Sequence, residues 1–150
     1  MGATRAWFRT AGLVGVVVGG CVVSASCGPS EARQREMHYI STSYSFTIVP
    51  SEAPPHARED ITYKVFIRDR DTREPIQNGE GQIYSNNRDG ARTWDGFAYG
   101  PEVGTYYGKL NFTTSGLWAV GVRFRRDSLH PLEKLEWMQD VLNERPGSTP

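Results

Sequence analysis

The sequence predicts a mainly β protein: an antiparallel β-sandwich of six or seven strands, with an N-terminal signal segment before it and a C-terminal α-helix after it. Apolar and polar residues alternate over several short stretches, and turn-forming residues separate these stretches at regular spacing. After Ser128 the apolar residues change to helical spacing, which predicts the helix. The expected segments are a signal peptide (1–26), a tether (27–37), the sandwich (38–127) and the helix (128–145).

The N-terminal segment has the residue order that is typical of a secretory signal. Arg5 and Arg9 precede an apolar run of about 13 residues, whereas about 20 are needed to span a bilayer. Small residues then lead to Cys27 in a pattern that resembles a bacterial lipobox. We therefore expect export to the periplasm or to the outer face of a bacterial membrane, with Cys27 lipid-anchored. Lipidation of Cys21, cleavage after Ser26 without lipid, and a retained signal remain alternatives.

The charge balance argues against a nucleic-acid partner. The chain has 17 Lys and Arg residues and 17 Asp and Glu residues, so its formal net charge is zero. A nucleic-acid binder normally carries an excess of basic residues or a basic face. Two cysteines are too few for a disulfide framework, and only Cys27 remains after cleavage at the predicted site.

Alternation predicts the strands one by one. It is clearest in three stretches, which are 44–49, 61–68 and 118–125. Shorter strands are expected at 82–85 and 92–99, joined by a hairpin-like loop. The turn at 113–116 separates strands at 105–112 and 117–126, and its length predicts a hairpin. In the last strand the phase places Trp118, Val120 and Phe124 in the core.

The segment after Pro131 predicts the terminal helix. Its apolar residues fall at helical spacing and form one stripe: Leu132, Leu135, Met138, Val141 and Leu142. Such a stripe is expected to pack on the sandwich or in a groove of a partner. Trp137 lies off the stripe and is expected to be partly exposed.

A wider pattern covers residues of about 42–126. Gly104-Thr105-Tyr106 is followed by Leu110 and Phe112, and then by Gly116-Leu117-Trp118-Ala119-Val120. This pattern resembles the YtkA-like and FixH-like group of exported Ig-type β-sandwich domains. The resemblance implies an Ig-like fold whose last two strands form the centre of one sheet, and an accessory role in a membrane redox or transport complex. Independently, Tyr106 is placed like a tyrosine corner, whose hydroxyl binds a nearby backbone group.

The search for reactive groups predicts no catalytic residue, cofactor or metal site, so we expect a non-enzymatic protein. The three histidines, His38, His56 and His130, share no strand or helix with another ligand at metal spacing. Asp69 and Asp71 are expected to stabilise a turn.

The main functional hypothesis is binding or scaffolding of a protein partner at the membrane surface. Arginine and aromatic side chains are enriched at interfaces, and the candidates are Tyr107, Arg123, Arg125, Arg126 and Trp137. One alternative is a periplasmic copper- or metal-handling protein, for which Met37-His38 is the only adjacent pair of suitable ligands. The other is a carbohydrate-binding module that uses Trp94, Tyr99 and Tyr107.

Overall fold

The computed structural model describes residues 35–147, and within this range it contains nine β-strands and no helix. The strands are β1 (Met37–Ile40), β2 (Tyr44–Pro50), β3 (Asp60–Asp69), β4 (Glu80–Asn87), β5 (Arg92–Gly96), β6 (Ala98–Tyr99), β7 (Thr105–Asn111), β8 (Gly116–Arg125) and β9 (Glu133–Val141). The predicted signal segment, Cys21 and Cys27 lie outside the described residues. No described segment forms a helix that could cross a membrane.

The strands form two antiparallel sheets, which confirms the predicted β-sandwich. One sheet has five strands in the order β1-β2-β3-β7-β6, and the other has four in the order β5-β4-β8-β9. The predicted hairpin around 86–90 is confirmed, because β4 pairs with β5. Nine strands are present instead of the six or seven expected. β1 extends the sandwich to the end of the predicted tether, β9 replaces the predicted helix, and the predicted strand at 92–99 is divided into β5 and β6, which belong to different sheets.

The core lies between the sheets and is built by alternation. In β2 and β3 every second residue is buried, as the period-2 pattern predicts. Trp118, Val120 and Phe124 of β8 are fully buried, so the predicted phase of this strand is confirmed. The Trp118 indole also donates a hydrogen bond from Nε1 to the backbone oxygen of Thr114 at 3.0 Å.

The predicted terminal helix is wrong, because residues 133–141 form the edge strand β9. This strand pairs with β8 along its whole length, from Phe124 opposite Glu133 to Gly116 opposite Val141. The segment contains two periods at once: the stripe at helical spacing, and an alternation that turns Trp137 and Val141 inward. An isolated helix of this length is marginal, whereas the open edge of β8 supplies a full ladder of backbone hydrogen bonds.

The exposure of the β9 side chains follows from this correction. Leu132 and Met138, two members of the predicted stripe, are 55% and 59% exposed. Trp137 was expected to be partly exposed, but it is buried in the core and stacks on Tyr39 with 5.6 Å between the ring centres. Its edge also meets Tyr63 at 6.3 Å.

The predicted hairpin between β7 and β8 is also wrong, because the two strands belong to different sheets. β7 pairs with β3 and β6, whereas β8 pairs with β4 and β9. The connection crosses from one sheet to the other, and Phe112 at its start packs in the core against Trp118 at 5.3 Å. The central pair of strands that the YtkA-like and FixH-like resemblance implies is therefore not formed.

Tyr106 has the role that its position predicts. Its side chain is fully buried, and its hydroxyl donates to the backbone oxygen of Ile76 at 2.7 Å and accepts from the amide of Gly79 at 3.1 Å. These bonds hold the loop at 70–79, between β3 and β4. Asp69 orders the start of the same loop, since its Oδ1 accepts from the amides of Asp71 and Thr72. This confirms the predicted turn.

Candidate metal centre

The loop at 51–59 joins β2 to β3 at the end of the sandwich opposite the 70–79 loop. The chain that leaves β9 runs beside it and is fixed to it by two backbone hydrogen bonds. The amide of Leu142 donates to the oxygen of Pro55 at 2.8 Å, and the amide of Ala57 donates to the oxygen of Leu142 at 2.9 Å. This pairing places the segment after Leu142 against the charged side chains of the loop.

Three metal-ligating side chains converge in this loop: Glu52, His56 and Glu59. Each can offer one ligand atom, and these atoms lie within 4.8 Å of one another. All three residues are half-buried. The Nδ1 atom of His56 lies 3.1 Å from Oε1 of Glu52. Within residues 35–147 no other group of three such side chains meets this geometry.

The guanidinium of Arg145 occupies the point at which the three ligands converge. Its Nη1 donates to Oε2 of Glu59 at 2.9 Å, and its Nη2 contacts Oε1 of Glu52 and lies 3.0 Å from Nδ1 of His56. Nδ1 of His56 is within hydrogen-bond distance of both Oε1 of Glu52 and Nη2 of Arg145, so the tautomer of the ring decides whether it donates to the carboxylate or accepts from the guanidinium. Two carboxylate oxygens and one imidazole nitrogen therefore surround a single guanidinium.

This arrangement has a definite chemical consequence. The carboxylates of Glu52 and Glu59 repel each other at these distances unless a positive charge lies between them. Arg145 supplies that charge here, and a divalent ion offers the same compensation at the same point. Two carboxylates and one imidazole suit Zn²⁺ or Cu²⁺, and three protein ligands leave coordination positions open.

The pair considered for copper in the sequence lies elsewhere. His38 is on β1, where its Nδ1 is 3.2 Å from the hydroxyl of Thr47 and its Nε2 is 3.7 Å from Oε1 of Glu36. The sulfur of Met37 accepts a contact from the hydroxyl of Tyr39 at 3.9 Å. Met138 is exposed on β9.

The sequence offers His56 no second ligand at metal spacing on a shared strand or helix, and the cluster was therefore not predicted. Glu52 and Glu59 stand four residues before and three residues after His56, a spacing that carries no geometric meaning in a loop until the backbone path is known. Arg145 is 89 residues away from His56. A search for Glu-x-x-x-His-x-x-Glu would have found the ligands, but the cation between them depends on β9 being a strand.

The residues predicted to bind a protein partner do not all share one surface, although Arg123 and Arg125 line the same depression on the outer face of the four-stranded sheet. Tyr107 lies on the outer face of the five-stranded sheet, opposite Lys64 of β3. Arg123 is exposed on the outer face of the four-stranded sheet. Trp137 points into the core between them.

The other two predicted arginines hold loop and strand ends. Arg125 forms an ion pair with Glu80 at 2.6 Å. Arg126 pairs with Asp69 at 2.6 Å, and its amide donates to the hydroxyl of Tyr44. Cys27, the predicted lipid attachment site, lies outside the described residues.

The aromatic residues predicted to bind carbohydrate are also separated. Trp94 is exposed on the outer face of the four-stranded sheet, where it pairs across the strands with Tyr84. Tyr99 packs on Tyr106 at 5.2 Å and donates its hydroxyl to the oxygen of Gly79. Tyr107 belongs to the opposite outer face, so the three rings form no common platform.

No protein-family profile matches the sequence, and no curated protein matches it either. The fold is shared with solved bacterial proteins. A DUF4426 family protein from Pseudomonas aeruginosa superimposes with a TM-score of 0.56 at 7% identity, over 73% of this chain and 97% of that one. FetP of uropathogenic Escherichia coli, produced in the periplasm, superimposes with a TM-score of 0.52 at 10% identity, over 71% of this chain and 93% of that one. A copper-bound FetP variant superimposes with a TM-score of 0.49 at 12% identity, over 77% of this chain and 96% of that one.

Proposed function

We propose that this protein is an exported, non-enzymatic metal-handling β-sandwich that binds one divalent transition-metal ion through Glu52, His56 and Glu59. The observation that carries the proposal is the convergence of these three ligand groups, within 4.8 Å of one another, on a point that a cation already occupies. The site lies at one end of the sandwich and is half-buried, so an ion can reach it without unfolding of the core.

The ligand types indicate which ion binds most tightly. An imidazole nitrogen and two carboxylate oxygens form a donor set without thiolate or thioether, which disfavours Cu⁺ and suits Cu²⁺ and Zn²⁺. For a given site of this kind the affinity of divalent ions rises along the series to Cu²⁺ and is lower for Zn²⁺. The metal-handling proposal therefore names Cu²⁺ as the tightest ligand.

Binding must displace Arg145. The guanidinium and the ion compete for the same three groups, so the side chain of Arg145 has to leave when the ion enters. The two backbone hydrogen bonds of Leu142 to the loop do not involve Arg145, so they can remain when its side chain moves. When no ion is bound, the positive charge of Arg145 therefore compensates the negative charges of Glu52 and Glu59.

Export is part of the proposal. The basic start, the short apolar run and the small residues before Cys27 support a secreted chain with a lipid anchor. The similarity in fold to FetP, which was produced in the periplasm, is consistent with this location. The sequence pattern that resembles YtkA-like and FixH-like domains adds the proposal that the protein acts as an accessory factor at a membrane.

Calorimetric titration of the purified protein with Cu²⁺ tests the proposal. We expect one equivalent to bind, and we expect His56→Ala to weaken binding by more than about tenfold, since loss of even an outer-shell partner of a metal weakens binding about 10–100-fold. The matched control is His130→Ala, because His130 contacts a single carboxylate, Oδ1 of Asp127 at 2.7 Å.

The control variant should bind Cu²⁺ like the parent protein. Equal affinity of the parent and His56→Ala proteins would refute the assignment. A loss of binding in His38→Ala with no change in His56→Ala would move the copper site to the Met37-His38 pair on β1.

A further inference from the structure

The outer face of the four-stranded sheet carries a second feature that the metal site does not use. Strand register places Trp94, Tyr84, Gly121 and Glu136 in one row across the four strands. The neighbouring row contains Arg123. We call the depression lined by Tyr84, Arg92, Trp94, Arg123, Lys134 and Glu136 the outer groove.

Gly121 lets Tyr84 form the floor of the outer groove. A Cβ atom at Gly121 would lie 2.5 Å from the hydroxyl oxygen of Tyr84, so only a glycine at this position lets the tyrosine ring cover the backbone of β8. The resulting depression has a volume of about 460 Å³.

The floor of the outer groove is held in place by its own contacts. The hydroxyl of Tyr84 donates to Oε1 of Glu136 at 2.9 Å, and Glu136 pairs with Lys134 at 2.8 Å. The guanidinium of Arg123 lies 4.7 Å from the centre of the Tyr84 ring. Although Tyr84 points away from the core, these contacts leave it only 9% exposed. The groove is therefore preorganised, which lowers the entropic penalty of binding.

The rim offers an apolar plane and unpaired positive charge. Trp94 is 69% exposed, the largest side chain in the described part of the chain to be so open. Three cationic side chains line the groove against one carboxylate, and that carboxylate is already paired with Lys134. Among residues 35–147 neither Arg92 nor Arg123 has a carboxylate within ion-pair distance. Guanidinium groups bind carboxylates with two parallel hydrogen bonds.

We propose that the outer groove binds an acidic saccharide, a sugar chain that carries carboxylate groups. One face of a pyranose ring is a plane of C–H groups, and it packs on the indole of Trp94. The guanidinium groups of Arg123 and Arg92 pair with the sugar carboxylate, while Glu136 accepts hydrogen bonds from hydroxyl groups. A shallow groove with one flat aromatic ring and planar polar groups fits a sugar better than a peptide, whose side chains need apolar pockets.

Calorimetry at low salt with a trimer of α-1,4-linked galacturonic acid tests this inference. The neutral trimer of α-1,4-linked galactose has the same ring and linkage without the charge. We expect the acidic trimer to bind, and the neutral trimer to bind at least about tenfold more weakly, since each lost charge-assisted bond is worth about that factor.

Variants of the groove and a matched control complete the test. Trp94→Ala and Arg123→Gln should each weaken binding of the acidic trimer by about tenfold or more, and Arg92→Gln should do so to a smaller extent. Tyr107→Ala removes an aromatic side chain from the outer face of the other sheet and should leave binding unchanged. Thermal unfolding of each variant reports whether it is folded.

Three outcomes would overturn the inference: no binding of the acidic trimer, equal binding of the neutral trimer, or binding that Trp94→Ala leaves intact. A poly-glutamate peptide that binds as tightly as the trimer, with no dependence on Trp94, would assign the groove to acidic peptides instead. None of these outcomes affects the metal proposal, because the groove shares no residue with Glu52, His56 and Glu59.

Discussion

The loops at the two ends of the sandwich differ in the side chains that hold them. The 70–79 loop is bound by the hydroxyl of Tyr106, which is fully buried. The 51–59 loop is bound through its backbone to Leu142, and its polar side chains are joined by half-exposed charges around Arg145. A buried hydroxyl with satisfied hydrogen bonds is expensive to remove, whereas ion pairs open to solvent add little to stability. We therefore expect the first end to serve the fold, and the second to exchange its cation for a metal ion without loss of the fold.

The chemistry of Tyr106 supports this distinction. Burial raises the pKa of the phenol to about 12, so the hydroxyl stays neutral and can donate and accept at once. Its ring packs against Phe124 at 5.3 Å and Phe97 at 5.7 Å, which joins the two sheets at this end. Because the side chain of Tyr106 is fully buried, a ligand has no access to its hydroxyl.

The largest expected effect is at the Tyr106 end. Tyr106→Ala should lower the free energy of unfolding by about 3–5 kcal/mol, because it leaves a cavity in the core. Tyr106→Phe keeps the ring and should lower it by about 1–3 kcal/mol, because Ile76 and Gly79 each lose a hydrogen-bond partner. Urea denaturation measures both values.

The same two variants test the comparison itself. Where Tyr106→Phe remains folded, its Cu²⁺ affinity should equal that of the parent protein, since the metal centre lies at the other end of the sandwich. A variant that is as stable as the parent would show that the hydroxyl does not fix the loop. A large change in metal affinity would show that the two ends are coupled.

A smaller effect is expected from Asp69, which orders the start of the 70–79 loop. Hydrogen bonds from the amides of Thr72 and Asp71, aided by Arg126, hold the pKa of its carboxyl below the ordinary value. A carboxyl with a lowered pKa stabilises the fold above the pKa of the unfolded chain, and this contribution is lost as the pH falls through the folded pKa.

Asp69→Asn should therefore be less stable than the parent protein at neutral pH, and the difference should shrink as the pH falls below about 4. Thermal unfolding followed between neutral pH and acid measures this convergence. A difference that stays constant with pH would mean that the charge of Asp69 makes no contribution and that only its shape matters.

Local patterns predicted most of the fold because β2, β3 and β8 each alternate without ambiguity. Residues 133–141 could not be assigned in the same way, since the stripe at 132, 135, 138 and 141 fits a helix while Trp137 fits only the strand. The strand forms because β8 has a free edge with which residues 133–141 can pair, and this edge exists only in the assembled sheet. The turn at 113–116 posed a similar problem, because a short turn joins strands within one sheet or between two sheets.

The candidate sites depended even more on long-range geometry. Glu52, His56 and Glu59 are close in sequence, but whether their side chains converge depends on the backbone path of the loop. The contact with Arg145 depends in addition on the position of the segment after β9. The sequence predicted Arg123 as a binding residue. The proposed outer groove also needs Tyr84 and Gly121, however, and these two residues become neighbours only when β4 and β8 pair. Residue type indicated the chemistry, and strand pairing decided which residues meet.

The central claim is that Arg145 occupies a metal site, and the Cu²⁺ affinity of Arg145→Gln tests it most directly. Glutamine removes the competing charge but retains a hydrogen-bonding group. We expect the variant to bind Cu²⁺ at least about tenfold more tightly than the parent protein, because the ion no longer has to displace a cation from the same three ligands. Its free energy of unfolding should change by less than about 1 kcal/mol, since the lost ion pairs are partly exposed. Equal or weaker Cu²⁺ binding by a folded Arg145→Gln protein would contradict the account.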